Sequence, residues 1–371
     1  MTFRVDGSIE ELAASALLIS RSSKYSRRPV NVEEAVDEIR LPTTRYYGSK
    51  RRLAPWLAQT FGSGNGSRVL DAFGGTASVS LLLRSLGYSV TYVDIFQFNV
   101  VVARALLSPV ADVPSIEDFL SRVKPTSGFV TTTFRNLYFT HAENRWLDGF
   151  LAALEEVKDP ATRDTWMYCV FQACLMKRPY NLFHRANLSI RLNVVEAAFG
   201  NRTTWNTPFE TLLRTVFREL QIARNLRPNG SKVTVLDATA VERVRRKFDL
   251  VYIDPPYFKE NGRADSYLSR YHFLEGLARH QEWPDLVDYT HPLRVFKSQS
   301  APNEWSNSTQ LLHGVERIVS KHSNARIVMS YALGGSPPPR QNRSRLNRNA
   351  VGGADEGLQW HDTDKHLRIE R

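Results

Sequence analysis

Asp254-Pro255-Pro256-Tyr257 carries the densest chemistry in this chain. It follows the apolar run Phe248–Ile253 and so sits where a strand gives way to a loop. In an open α/β sheet, ligands collect just beyond the carboxyl ends of strands. The tetrapeptide supplies one carboxylate, a stiff turn whose Pro255 lacks an N–H but keeps a carbonyl acceptor, and one aromatic ring. A carboxylate and a carbonyl together accept both hydrogens of an exocyclic amino group, while the Tyr257 ring stacks on the base that bears it. The plainer reading of the same four residues is a Pro-Pro turn with a capping Asp.

A second group lies far upstream. Arg68–Asp71 reads as a short strand ending in an acid, followed by Phe73, Gly74, Gly75 and Thr76 and then an apolar helix from Val79 to Leu86. Glycines allow close approach of the backbone to a ligand, and the helix start presents unpaired N–H groups. The spacing is not that of the dinucleotide fingerprint, so a pyrophosphate is not implied. A further strand, Ser89–Val93, ends in Asp94. An acid about twenty residues after the glycine turn, at the end of the next strand, is placed to bond ribose hydroxyls. A structural turn with a capping Asp is the simpler account of either acid alone.

The elements that must position these groups follow a strand–helix rhythm. Strands are expected at 68–71, 89–93, 233–236, 250–253 and 327–330, with two parts of one domain at 41–111 and 231–335. Residues 112–230 form an insert, mixed and partly helical. Residues 1–40 read as an N-terminal extension, with helix starts at Ser8 and Asn31. Residues 336–371 read as a basic, turn-rich loop and tail.

Composition is compatible with a large core: 371 residues, 42% hydrophobic. A formal charge of +11 is the electrostatic footprint of a protein that holds phosphates. The two cysteines, Cys169 and Cys174, fall in an apolar run and read as buried core residues without a disulfide, which suits a reducing cytoplasm. The start of the chain lacks the pattern of a signal peptide, and no apolar run reaches transmembrane length. The expected location is the cytoplasm, with no membrane partner. No Cys/His metal-ligand spacing, nucleophile elbow or P-loop is present, and no metal is expected.

Taken in order, these blocks resemble the S-adenosylmethionine-dependent DNA adenine (N6) methyltransferases of the restriction-modification type, whose cofactor motifs precede the Asp-Pro-Pro-Tyr motif. Tyr47-Gly48-Ser49-Lys50 is similar to the N-terminal cofactor motif, Asp71–Ser78 to the glycine motif and Asp254–Tyr257 to the catalytic motif. Tyr138–Asn144 and Tyr271–Glu275 also match, and the resemblance spans roughly residues 45–335. Ala77 stands where many members carry another glycine, Phe258 where a polar residue is common, and Ala332 where asparagine is frequent.

The resemblance implies a Rossmann-like α/β methyltransferase sheet carrying a target-recognition insert. It implies S-adenosylmethionine as cofactor, with Tyr47 and Lys50 bordering its methionine end, Asp71, Phe73, Gly75 and Thr76 forming the glycine loop, and Asp94 on the ribose. Asp237, ending the strand 233–236, is the candidate neighbour of the cofactor's adenine. The reaction implied is methyl transfer to adenine N6 in duplex DNA after base flipping, with a restriction endonuclease of the same specificity as a possible partner. The same chemistry on cytosine N4 or on RNA adenine is an alternative, as is a catalytically silent DNA-binding relative. Within the insert, Lys177 and Arg178 are expected on phosphates and Arg185 and Asn187 nearer the bases, with Asn181 a further DNA contact, the plainer reading of the run being a solvated basic face.

Overall fold

The computed structural model describes residues 50–107, 113–179, 182–192, 202–225, 232–236, 241–256, 267–297, 308–332 and 366–368. Its centre is a sheet of β1 (Arg68–Asp71), β2 (Ser89–Tyr92), β3 (Val233–Val235), β4 (Leu250–Ile253), β5 (Arg326–Ala332) and β6 (His366–Arg368). The order is β3-β2-β1-β4-β5-β6, with β1 to β5 mutually parallel and β6 antiparallel on the edge. This is the Rossmann-like sheet that the resemblance implies, and all five expected strands lie in it. β6, by contrast, falls in the segment expected to be loop and tail.

Parallel strands need cover on both faces, which is why β4 is apolar and buried along its whole length. On one face sit α1 (Ala54–Phe61), α2 (Ser78–Ser85) and α3 (Gln97–Leu107), packed on Val69, Val90, Tyr92 and Tyr252. Helices of the insert extend this same core: α4 (Ile116–Arg122), α5 (Phe129–Thr133), α6 (His141–Glu155), α7 (Pro160–Met176) and, after the short α8 (Leu188–Leu192) and α9 (Arg202–Asn206), α10 (Phe209–Asn225). Among its described residues the insert contains helices and loops and no strand. α11 (Tyr267–Ala278) and α12 (Trp283–Leu286) close this side, while α13 (Ser308–Lys321) covers Leu70, Val251 and Ile253 on the other face.

Local sequence explains the helix starts. Thr140 and Glu143 form a reciprocal capping box at α6, and Asp159 caps α7 ahead of Pro160. α7 is apolar around its whole circumference because it is enclosed; Cys169 and Cys174 on it are free thiols with no exposed surface. Among the described residues no helix is long and apolar enough to cross a membrane. The expected N-terminal helices lie outside the described residues.

Candidate active site

Asp254 follows β4 directly and is reached by two elements remote in sequence. Lys50, in the turn of 3₁₀ helix Lys50–Leu53, places Nζ 2.6 Å from Asp254 Oδ2. Ser330 on β5 donates its hydroxyl to the other oxygen, Oδ1, at 3.1 Å. The side chains of Lys50 and Asp254 are 6% and 16% exposed, so the pair sits at the edge of solvent rather than in it. Pro255 is buried and Pro256 half-buried. Tyr257 lies outside the described residues.

The glycine loop meets this cluster from β1. Asp71 pairs in register with Tyr252 and Tyr92 on either side, so the three side chains share one sheet face. Ser80, on α2, donates to Asp71 Oδ2 at 2.6 Å, while buried Oδ1 has no partner among the described residues. Burial, opposed by the Ser80 bond, pushes the Asp71 carboxyl up to about 7, and the nearby Asp254 and Asp94 carboxylates add to this.

The loop is clamped. Gly75 N–H donates to Asp94 Oδ2 at 2.9 Å, Phe96 N–H to Asp94 Oδ1 at 2.8 Å, and the Tyr92 hydroxyl to Gly75 O at 2.6 Å. Asp94 therefore fixes the loop's shape, and burial raises its carboxyl to about 6. A Cβ at Gly74 would fall 2.0 Å from the Tyr92 ring, which explains a glycine there. Ala77 adopts φ +58°, a left-handed conformation that glycine reaches without cost, and this is the physical content of the departure noted at that position. Phe73 is half-buried and Thr76 buried, its hydroxyl 3.0 Å from that of Ser78. Tyr47 and Asp237 lie outside the described residues.

On the insert, the structure divides the basic residues. Lys177 and Arg178 are 2% and 1% exposed. Lys177 pairs with Glu143 Oε1 at 2.9 Å and donates to the carbonyls of Trp205 and Thr207. Arg178 donates to the carbonyls of Leu182, Ala186, Arg185 and Tyr138 and stacks on the Tyr138 and Phe183 rings. The expectation that these two contact phosphates is corrected: a guanidinium already bonded to buried carbonyls is scaffold, and it shapes the 182–187 loop from beneath. Arg185, on that loop, is exposed, and half-buried Asn187 turns the chain at φ +55°. Asn181 lies outside the described residues.

Several long-range contacts escape sequence reading. Glu143, the capping partner of Thr140, also receives Arg191 through both guanidinium nitrogens at 3.0 and 2.7 Å. Buried Glu275 crosses from α11 to accept the Gln97 and Phe98 N–H groups at the start of α3, just after Asp94. His272 Nε2 lies 2.9 Å from the Tyr138 hydroxyl, joining the two longer stretches of the resemblance, and burial drives its pKa down to about 3. Tyr252 and Ser330 were detectable only through strand alternation: Tyr252 is two residues before Asp254 and hence on its face.

The arrangement brings together the Asp254 carboxylate, a clamped glycine loop and a line of acids at the carboxyl ends of adjacent parallel strands. The chain is similar to a type II methyltransferase, M2.HphI, of Haemophilus parahaemolyticus, with 26% identity over 243 residues, 62% of this chain and 71% of that protein. A family model described as D12 class N6 adenine-specific DNA methyltransferase matches residues 46–325, which take in Lys50, the glycine loop, the insert and the Asp254 motif. The chain therefore belongs to the D12 class of N6 adenine-specific DNA methyltransferases.

Proposed function

We propose that this DNA adenine methyltransferase takes its methyl group from S-adenosylmethionine and delivers it to the N6 atom of an adenine flipped out of duplex DNA. The observation that carries this reading is the meeting of Lys50 from the cofactor-side motif with Asp254 of the catalytic motif at 2.6 Å. It sets the amine acceptor beside the glycine loop.

The residues present suit such a cofactor. Asp94 and Asp254 both act on Asp71, Lys50 acts on Asp71 and pairs with Asp254, and Asp71 Oδ1 is buried without a partner among the described residues. A ligand bearing positive charge relieves that cluster. When bound, S-adenosylmethionine supplies a methyl group already activated by a sulfonium, so neither a metal nor a covalent enzyme intermediate is required.

What remains for the chain is orientation. The adenine amino group is a poor nucleophile because its lone pair is delocalised into the ring. Each carboxylate oxygen has two lone pairs, so Asp254 can hold Lys50 and Ser330 and still accept one amino hydrogen. The Pro255 carbonyl accepts the second, drawing the nitrogen toward tetrahedral geometry with its lone pair aimed at the methyl group. Base flipping delivers the amine, which is otherwise buried in the stack.

A role in a restriction-modification system, beside an endonuclease of matching specificity, is part of this proposal, and likeness to a type II methyltransferase supports it. Incubation of the purified protein with methyl-labelled S-adenosylmethionine and duplex DNA, followed by base-resolved mapping, tests the whole reading. The expected result is N6-methyladenine at one short sequence, absent with Asp254→Ala. Label on cytosine, or none on DNA, sinks it.

A further inference from the structure

Behind Asp254 lies a pair of hydroxyls. Tyr252 and Asp254 are two residues apart and share a sheet face, and the β4–β5 register, with Tyr252 opposite Val328 and Ile253 opposite Met329, carries Ser330 alongside Asp254. The Tyr252 hydroxyl is 2.8 Å from Ser330 Oγ, which in turn is 3.1 Å from Asp254 Oδ1. Tyr252 and Ser330 are 1% and 2% exposed.

Counting hydrogens gives this chain a direction. A hydroxyl carries one hydrogen and two lone pairs. Ser330 donates its hydrogen to the carboxylate, so between the two hydroxyls Tyr252 must be the donor and Ser330 the acceptor. Burial moves the Tyr252 phenol well above its ordinary pKa, so it stays protonated and able to donate. The sequence of donations is Tyr252 to Ser330 to Asp254, each polarising the next.

The consequence lies in the carboxylate's rotation. The χ2 torsion of aspartate is broad and has no deep staggered well. The Lys50 contact is to Oδ2, and a contact at one oxygen restrains rotation of the group less than contacts at both. A second grip on Oδ1 fixes the plane. We propose that Ser330, backed by Tyr252, is a positioning residue that sets the orientation of the Asp254 carboxylate toward the target amine. The proposal rests on the reading of Asp254 as acceptor of that amine.

Steady-state kinetics on the full-length protein with S-adenosylmethionine and cognate duplex test it, using Ser330→Ala, Ser330→Thr, Tyr252→Phe, the Ser330→Ala/Tyr252→Phe double variant and Asp254→Ala. Misorientation of a reacting partner costs up to about a hundredfold in rate. Ser330→Ala is therefore expected to lower kcat roughly ten- to hundredfold, with KM for DNA and the cofactor Kd staying within about twofold of the parent. Ser330→Thr, which restores a hydroxyl on a strand that accepts β-branched residues, should recover most of the rate. Tyr252→Phe should cost less than Ser330→Ala, and the double variant no more than Ser330→Ala alone, because the two hydroxyls act in series.

Unchanged kcat in Ser330→Ala while Asp254→Ala is inactive overturns the positioning role. So does additivity in the double variant, or a Ser330→Thr protein that folds and stays slow. If Asp254→Ala itself turns over normally, it is the reading of Asp254 that fails, and the proposal with it. Should Ser330→Ala not fold, Tyr252→Phe and Ser330→Thr decide: full rate in Tyr252→Phe, or no rate in folded Ser330→Thr, overturns the relay.

Discussion

Lys50 and Asp254 stand 204 positions apart and meet with Nζ 2.6 Å from Oδ2. The pair joins the first described turn of the chain to the end of β4, and in the proposed function it is the point at which the cofactor side and the substrate side of the site touch. Asp254→Asn keeps the shape of the side chain but removes its charge. Transfer should fall about a hundredfold or more, the scale for losing one preorganised electrostatic partner, while the Kd for S-adenosylmethionine changes only a few-fold. Single-turnover kinetics beside equilibrium binding separate the two quantities, and near-normal turnover removes Asp254 from the chemistry.

The acids beside this pair make the protein pH-sensitive. Asp71 is raised from 3.8 to about 7 and Asp94 from 3.8 to about 6, chiefly by burial. Between these limits the folded state binds more protons than the unfolded chain, so stability without ligand declines as pH rises from about 4 to about 7. Asp71→Asn should flatten that slope in urea titrations across this range; an Asp71→Asn profile parallel to the parent would dissociate the slope from this carboxyl. A positively charged cofactor favours the ionised acids. Its binding near pH 6.5 should therefore release protons, seen in calorimetry as an apparent enthalpy that varies with the ionisation enthalpy of the buffer.

Neighbouring glycines in the loop should respond differently. At Gly74 a methyl group meets the Tyr92 ring at 2.0 Å, and Tyr92 is tied to Gly75 O, so neither can move aside. Gly74→Ala is expected to cost about 1–3 kcal/mol, the range for overpacking, and to distort the loop. Gly75→Ala meets nothing nearer than Phe73 O at 3.9 Å but sits at φ +49°, and should cost about 1–2 kcal/mol from backbone strain alone. Thermal unfolding gives the stabilities, and cofactor titration should show the larger affinity loss for Gly74→Ala.

The insert supplies a contrast between buried and exposed arginine. Arg178→Ala leaves the carbonyls of the 182–187 loop without their donor in a buried setting, which should destabilise the protein by about 2–4 kcal/mol. Arg185→Ala removes an exposed side chain and should leave stability within about 0.5 kcal/mol. If Arg185 reads a base edge, its loss should instead relax the methylated sequence at one position, worth about 1–3 kcal/mol of discrimination. Denaturant titration and sequencing of methylated DNA from expressing cells test both halves. A stable Arg178→Ala variant, or undiminished selectivity in Arg185→Ala, overturns the corresponding assignment.

Sequence by itself determined the strands, the glycine turn and the place of Asp254 directly after a strand, because each is a local property. β1, β2, β3 and β4 are short apolar runs ending at or just before an acid, and chain stiffness at Pro255 marks the loop after β4 without reference to any neighbour. The capping box at Thr140 and Glu143 is likewise written within four residues. Tertiary structure alone decided which side chains meet. Lys177 and Arg178 read as a basic pair from their charge, yet their exposure depends on α9, α10 and the 182–187 loop folding over them. Burying such groups is tolerable only because Glu143 and a set of backbone carbonyls converge from distant segments. Ser330 and Tyr252 are unremarkable in the sequence; the parallel register of β4 and β5 sets them behind Asp254. Glu275 finds the N-terminus of α3 only once α11 crosses it. Local patterns fix where a strand ends, whereas the partner of a buried charge is set by long-range packing, which no spacing within a single segment encodes.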